Sequence, residues 1–138
     1  MEAKFISLGF CKVLLIKAPL LACVLCGQGS AFAAWELFVK DKAGVEHYID
    51  PMTIKQSGGN FLVWRIVNLP SKLKDGTRSM RARDEFNCAQ DQARFHSITS
   101  HSEPMAGGIA LYSKSNGDFR DIPPETVDAR ILNWVCSK

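Results

Sequence analysis

The side chains that could do chemistry are three histidines, an Asp-Pro pair, a small set of arginines around a tryptophan, and five cysteines. His47, His96 and His101 have no Cys-x-x-Cys or His-x-x-x-His companion, the spacing that metal sites use. His96 and His101 are five apart, which on an unbroken strand places them on opposite faces. They read as surface or edge histidines, and no metal is expected. Asp50, before Pro51, could serve as a catalytic carboxylate, but an Asp-Pro after a strand more commonly accepts hydrogen bonds from the following turn. Arg65, Arg81 and Arg83 could form a basic patch beside Trp64. Single-stranded nucleic acid needs cations and exposed aromatics along one groove. Here Trp64 alternates away from Arg65 and the net charge is only +3, so no nucleic-acid partner is expected. An ordinary solvated face is expected, with contact to an anion or acidic protein as the alternative. No Gly-x-Ser-x-Gly elbow or phosphate-cradling loop occurs, and Gly58-Gly59 and Gly107-Gly108 read as turns. The chain is not expected to be an enzyme or to hold a cofactor.

The cysteines divide into two groups. Residues 1–33 carry Lys4, Lys12 and Lys17, an uncharged run from Ala18 to Cys26, and Ala31-Phe32-Ala33. A basic segment, a short apolar segment and an Ala-x-Ala site in that order form a secretory signal, with cleavage expected at Ala31 and Ala33. The apolar run falls well short of the roughly 20 residues that a membrane-spanning helix needs. Processing would remove Cys11, Cys23 and Cys26 and leave Cys88 with Cys136, an even pair suited to an exported domain with one disulfide. A rival route is a weak lipobox, Leu20-Leu21-Ala22-Cys23, whose lipid on Cys23 would tether the protein to a membrane. Residues 34–138 carry about +1, because three Lys and Glu2 lie in the leader.

With 46% apolar and 22% charged residues, the remaining chain is one ordinary globular domain, 34–138. Trp35–Lys40 and Val45–Asp50 read as a hairpin closed by Asp41–Gly44, and Pro51 ends the second strand. Met52–Gly59 reads as a turn region. Phe61–Leu69 is apolar on both alternating sets apart from Arg65 and Asn68, the mark of a central strand. Between Thr77 and Cys88, Met80, Ala82, Phe86 and Cys88 share one side while Arg81, Arg83, Glu85 and Asn87 share the other. Asp84 breaks the apolar set. Ala93–His101 reads as a strand with Phe95, Ser97 and Thr99 on one side, and Ile109–Ser113 as a short last one. Sequential short strands with hairpin-length turns favour an antiparallel meander of about six.

The closing segment Pro123–Cys136 reads as the only helix. Pro123 and Pro124 suit a first turn, and Glu125 and Asp128 suit its positive end. At 100° per residue, Val127, Ile131, Leu132, Trp134 and Val135 share one broad arc, with Cys136 at its edge. That arc needs the Met80/Ala82/Phe86/Cys88 face to lie on. The expected architecture is therefore α+β: a six-stranded antiparallel meander with a C-terminal helix packed on one face and stapled by Cys88–Cys136. A bond closing that loop of 48 residues contributes on the order of 4 kcal/mol in the chain-entropy view.

Trp35, then Tyr48-Ile49-Asp50-Pro51-Met52-Thr53-Ile54, then Val63-Trp64, Glu85-Phe86-Asn87-Cys88 and Trp134-Val135-Cys136 form a series spanning nearly all of 34–138. In that order they resemble the bacterial surface-adhesin protein E family. The resemblance implies a six-stranded antiparallel sheet with a disulfide-held C-terminal helix, in which Trp35, Tyr48, Asp50, Pro51, Thr53, Trp64 and Trp134 serve folding. It also implies a Gram-negative envelope location and binding of host matrix or plasma proteins such as vitronectin, laminin or plasminogen. A periplasmic accessory protein of the same fold is the competing expectation. Loops 52–60 and 71–77 and an exposed sheet edge are the expected contact surfaces, and such an edge could pair two copies as a homodimer.

Overall fold

The computed structural model describes residues 34–138, so the expected signal segment, the cleavage expected at Ala31 and Ala33, and Cys23 lie outside the described residues. Eight strands and one helix follow in order. They are β1 (Glu36–Lys40), β2 (Glu46–Ile49), β3 (Lys55–Ser57), β4 (Asn60–Asn68), β5 (Ser79–Asn87), β6 (Gln92–Glu103), β7 (Gly107–Ser115), β8 (Arg120–Asp121) and α1 (Val127–Cys136). The six longer strands form one antiparallel sheet in the order β1-β2-β4-β5-β6-β7, the meander that short sequential turns favour.

The two additional strands fill ladder that the meander leaves free. β2 covers only Arg65–Asn68 of β4, and β3 pairs with the remaining Asn60–Leu62. The expected turn region Met52–Gly59 thus contains a short strand, with Gly58-Gly59 turning the chain back into β4. At the other edge β7 covers Ser97–Glu103 of β6, while β8 takes Gln92 and Ala93. Each pairing satisfies backbone groups that would otherwise lie open.

Local chemistry sets the turns. In the β1–β2 hairpin the Asp41 carboxylate accepts the amides of Ala43 and Val45 at 2.8 and 2.9 Å, and Gly44 takes a positive φ of 83° that few other residues adopt. After β2, Asp50 caps a single 3-10 turn, Pro51–Thr53. Its Oδ1 accepts the Met52 amide at 3.1 Å, and Thr53 returns its hydroxyl to the Asp50 carbonyl at 2.8 Å. Asp50 thus caps the turn that follows β2.

The helix starts later than the prolines suggest. Glu125 sits at φ 63°, outside helical space, so Pro123 and Pro124 precede the helix and do not form its first turn. Thr126 is the N-cap: its Oγ1 accepts the Ala129 amide at 3.1 Å and donates to the Pro123 carbonyl at 2.8 Å. Ile131, Leu132 and Val135 are buried against Ile49, Val63, Phe86 and Ala93 of the sheet, with Val127 and Trp134 packed alongside. Burying each large aliphatic contributes roughly 1.5–3 kcal/mol, which is why the helix lies flat on this face. Phe38 meets Trp134 edge-to-face with ring centroids 5.5 Å apart. The Cys88–Cys136 disulfide ties the end of the helix to the end of β5.

A bulge in β6 breaks the alternation expected of Ala93–His101. Phe95 stands opposite Asp84, but Ser97 stands opposite Arg83, so Phe95 and Ser97 face opposite sides. The same extra residue brings His96 to the face of Glu85, and His101, opposite Ser79, lies on that face too. The two histidines do not alternate across the sheet. Among the described residues they belong to no cluster of three or more metal-ligating side chains.

Candidate functional site

The sheet has one face covered by the helix and an open face on which no helix lies among the described residues, and polar side chains organise both. Under the helix, Arg65 of β4 projects from the covered face. Its guanidinium lies 2.8 Å from Asp84 Oδ2 on β5 and 2.6 Å from Asp128 Oδ1 in the first turn of α1. The Arg65 and Asp84 side chains keep only 12% and 7% of their exposure, so neither belongs to a solvated face. This corrects the expectation that Arg65 shares an ordinary solvated face with Arg81 and Arg83, and accounts for Asp84. One buried cation serves two carboxylates. Burial pushes Asp84 upward despite Arg65, and the neighbouring Asp128 charge adds to that rise. Burial also works against Asp128, but Arg65 outweighs it and holds that carboxyl below the usual aspartate range. His47, on the same side, is held below its ordinary value by burial and by the Arg65 charge.

On the open face, Glu85 is a hub. It accepts from Asn60 Nδ2 at 2.6 Å and Arg94 Nε at 2.7 Å, and its Oε2 lies 2.7 Å from His96 Nε2. Burial raises this carboxyl, but the three partners overcome it and bring the group from 4.5 down to about 2. Arg94 also lies over the Phe119 ring at 4.5 Å. At the β6–β7 turn, Asn68 and the fully buried Ser79 hold the chain: Asn68 Oδ1 accepts the Met105 amide at 2.8 Å, and Ser79 Oγ accepts the Ala106 amide at 3.0 Å. These bonds fix Met105 and Ala106 at φ 55° and 58°, a conformation non-glycine residues seldom adopt.

Between these two polar anchors lies the concave part of the open face. Trp35, Asp50, Thr53, Trp64 and Arg81 line a notch of about 200 Å³. The Arg81 and Arg83 guanidinium carbons stand 5.6 and 5.9 Å from the centroid of the Trp64 ring. Arg65, Arg94 and Arg120 each face a carboxylate, whereas Arg81 and Arg83 have no ion-pair partner among the described residues. The sheet edge β7 is exposed along Gly108–Ser115, with Ile109 and Tyr112 at 69% and 63% exposure.

The expected motif residues therefore separate by location. Trp35, Asp50, Thr53 and Trp64 meet at the notch; Tyr48 lies along β2 with its hydroxyl donating to Glu46 at 3.1 Å. Trp134 belongs to the helix face, where it and Pro51 border the same shallow recess. Reading the sequence alone missed the Arg65–Asp84–Asp128 group and the Glu85 hub. A signal for the first was available: Arg65 and Asp84 are both charged misfits in otherwise apolar sets, and two misfits of opposite sign suggest a pair.

Comparison with known proteins agrees with this geometry. The family described as Surface-adhesin protein E matches residues 35–137. No curated protein sequence matches. Among solved structures, protein E of Haemophilus influenzae superposes with a TM-score of 0.60 at 19% identity, over 78% of this chain and 89% of that one. A second crystal form superposes at 0.59 and 20% identity, over 79% and 94%. At that identity the likeness speaks for the fold. The sheet order, the single disulfide-held helix and the family match over nearly all the described residues lead to one conclusion: this chain belongs to the surface-adhesin protein E family.

Proposed function

We propose that this protein is exported by a Gram-negative bacterium, loses residues 1–33 by cleavage after Ala33, and binds host matrix or plasma proteins at the cell surface. The observation that carries this reading is the family match together with a sheet face on which Arg81 and Arg83 stand against Trp64 with no ion-pair partner among the described residues. Binding proteins place adaptable contacts on loops and edges held by a rigid scaffold. Here Met52, in the segment 52–60, is 85% exposed and Leu73, in the segment 71–77, is 52% exposed. Among the described residues no helix is long and apolar enough to cross a membrane. The open edge β7 is the surface on which a second copy would pair, with Ile109 and Leu111 as its apolar contacts.

The test is saturable binding of the purified protein to immobilised vitronectin, laminin and plasminogen, with protease accessibility on intact cells measured in parallel. Binding to at least one, with digestion on intact cells, is expected. Protection from protease and no binding to any of the three would favour a periplasmic accessory protein. The mass of the mature protein separates cleavage after Ala33 from lipid attachment at Cys23, and sedimentation separates monomer from dimer.

A further inference from the structure

We infer that the notch between Trp35 and Trp64 is a peptide-binding site: it takes a large apolar side chain while a neighbouring carboxylate of the same peptide bridges Arg81 and Arg83. This rests on the reading of the protein as a binder of other proteins, and names the chemistry that one face would recognise.

Each wall of the site is already built. Asp50 and Thr53 line the notch and are tied into the 3-10 turn: Asp50 Oδ1 holds the Met52 amide and the Thr53 hydroxyl bonds the Asp50 carbonyl. Trp35 and Trp64 contribute indole surface, and both residues are only partly buried. The volume of about 200 Å³ is too small for the usual small-molecule pocket of roughly 300–1,000 Å³, but is of the size of one large side chain. What remains unsatisfied is the rim. Arg81 and Arg83 are two apart on β5 and point to the same side, both against the Trp64 ring. Two guanidinium groups held on one ring repel each other, and a carboxylate between them would be attracted by both. His101, buried on the adjacent strand and kept below its ordinary value by burial and by Arg81, favours its neutral form, and the one carboxylate lining the notch, Asp50, is buried and turned to the Met52 amide. Ser97 stands opposite Arg83 on β6 and offers a hydroxyl for the peptide backbone, while Thr99, opposite Arg81, is bonded to the Ser113 hydroxyl at 3.0 Å.

The charge pattern favours a peptide over a polyanion. A sulfated polysaccharide or a nucleic acid needs a long basic stripe. Residues 34–138 carry only about +1, and the unpartnered cations beside the notch are two.

The probe is Ac-Gly-Asp-Phe-Glu-Gly-NH2, with Ac-Gly-Asn-Phe-Gln-Gly-NH2 as its uncharged counterpart, read by the three indole N–H signals in a nitrogen-15 correlation spectrum. The acidic peptide should shift the Trp35 and Trp64 signals saturably, leave Trp134 on the opposite face unmoved, and bind at least tenfold more weakly at 500 than at 50 mM salt. The R81Q/R83Q double variant should lose tenfold or more in affinity while its Trp134 signal and melting temperature stay at the wild-type values. Should that variant not fold, the acidic and amide peptides on the wild-type protein still decide. Equal binding of both peptides, no shift at millimolar peptide, or undiminished binding to a folded R81Q/R83Q overturns the site. A heparin hexasaccharide that moves the same signals when the peptide does not would overturn it in favour of a polysaccharide. Loss of the peptide response with capture of whole host proteins intact overturns the notch alone. A peptide response that persists when no host protein is captured keeps the notch and removes the adhesin reading.

Discussion

Arg65 on the fourth strand reaches Asp128 in the first turn of the helix, Nη1 to Oδ1 at 2.6 Å, across 63 residues of chain. The contact fixes the start of the helix on the sheet, just as the disulfide fixes its end. Because Arg65 also serves Asp84, the start of the helix rests on a buried cation with two acidic partners. Such a group orients the helix; apolar contacts supply most of its hold.

Arg65→Met should therefore destabilise the protein by about 3–5 kcal/mol near pH 7, since it strands the buried Asp84 carboxylate and removes the nearest cation from the partly exposed Asp128. Urea titration measures this. Adding Asp84→Leu should recover a substantial part, because an apolar side chain of similar size suits the face that Ala82 and Phe86 occupy. In R65M both carboxyls would be raised in the folded state, so acidification towards pH 4 should narrow the gap to wild type. A gap unchanged with pH would show that Arg65 acts through its packing alone.

Glu85 sets the acid limit. Its folded carboxyl lies near 2 against an ordinary 4.5, a depressed acid, so its contribution is complete above pH 4.5 and is lost as pH falls from 4.5 towards 2. The drop corresponds to at most ~3 kcal/mol, less what solvent takes from Arg94 and His96, each 37% exposed. Glu85→Gln should flatten the stability profile between pH 4.5 and 2 while lowering stability at pH 7. Thermal melts across that range distinguish this from an unspecific loss.

Cys136→Ser should cost on the order of 4 kcal/mol, given the 48 residues the bond spans. A non-reducing mass of the wild-type protein should be two hydrogens below the reduced mass. In the variant, amides of Ile131–Val135 should exchange faster than those of β4 and β5, because the helix end is released first. Uniform acceleration would mean that helix and sheet open as one unit.

Gly117 approaches the Phe95 ring so closely that an added Cβ would lie 2.6 Å from its Cε1. Its amide also donates to the Phe95 carbonyl at 2.9 Å, which prevents the chain from backing away. Gly117→Ala should cost about 1–3 kcal/mol by overpacking, and Phe95→Leu in the same chain should relieve part of it. Chemical denaturation of the two single variants and the double variant gives the coupling directly.

Much of the fold follows from local chemistry written along the chain. Alternation in Thr77–Cys88 assigns its faces, Asp41 and Gly44 make the first hairpin, Asp50-Pro51 closes the second strand, and the arc of Ile131, Leu132 and Val135 requires a sheet to cover. Each rests on neighbours within a few residues, where strand and helix periods and turn preferences act. The ordered motif from Trp35 to Cys136 carried the family as well.

Tertiary structure decided the rest, and did so wherever residues distant in sequence share one space. The bulge opposite Arg83 and Asp84 reverses the faces of Phe95 and Ser97, because pairing with β5 and not the local period sets them. Asp84 is an error by alternation and a necessity once Arg65 lies beside it. The helix begins at Val127 because Thr126 finds the Ala129 amide and Glu125 leaves helical space. Trp35 and Trp64 are 29 residues apart in the chain and line one notch only because β1, β2 and β4 lie side by side. The period of a strand states which side a residue faces; only the assembled sheet determines what it meets there.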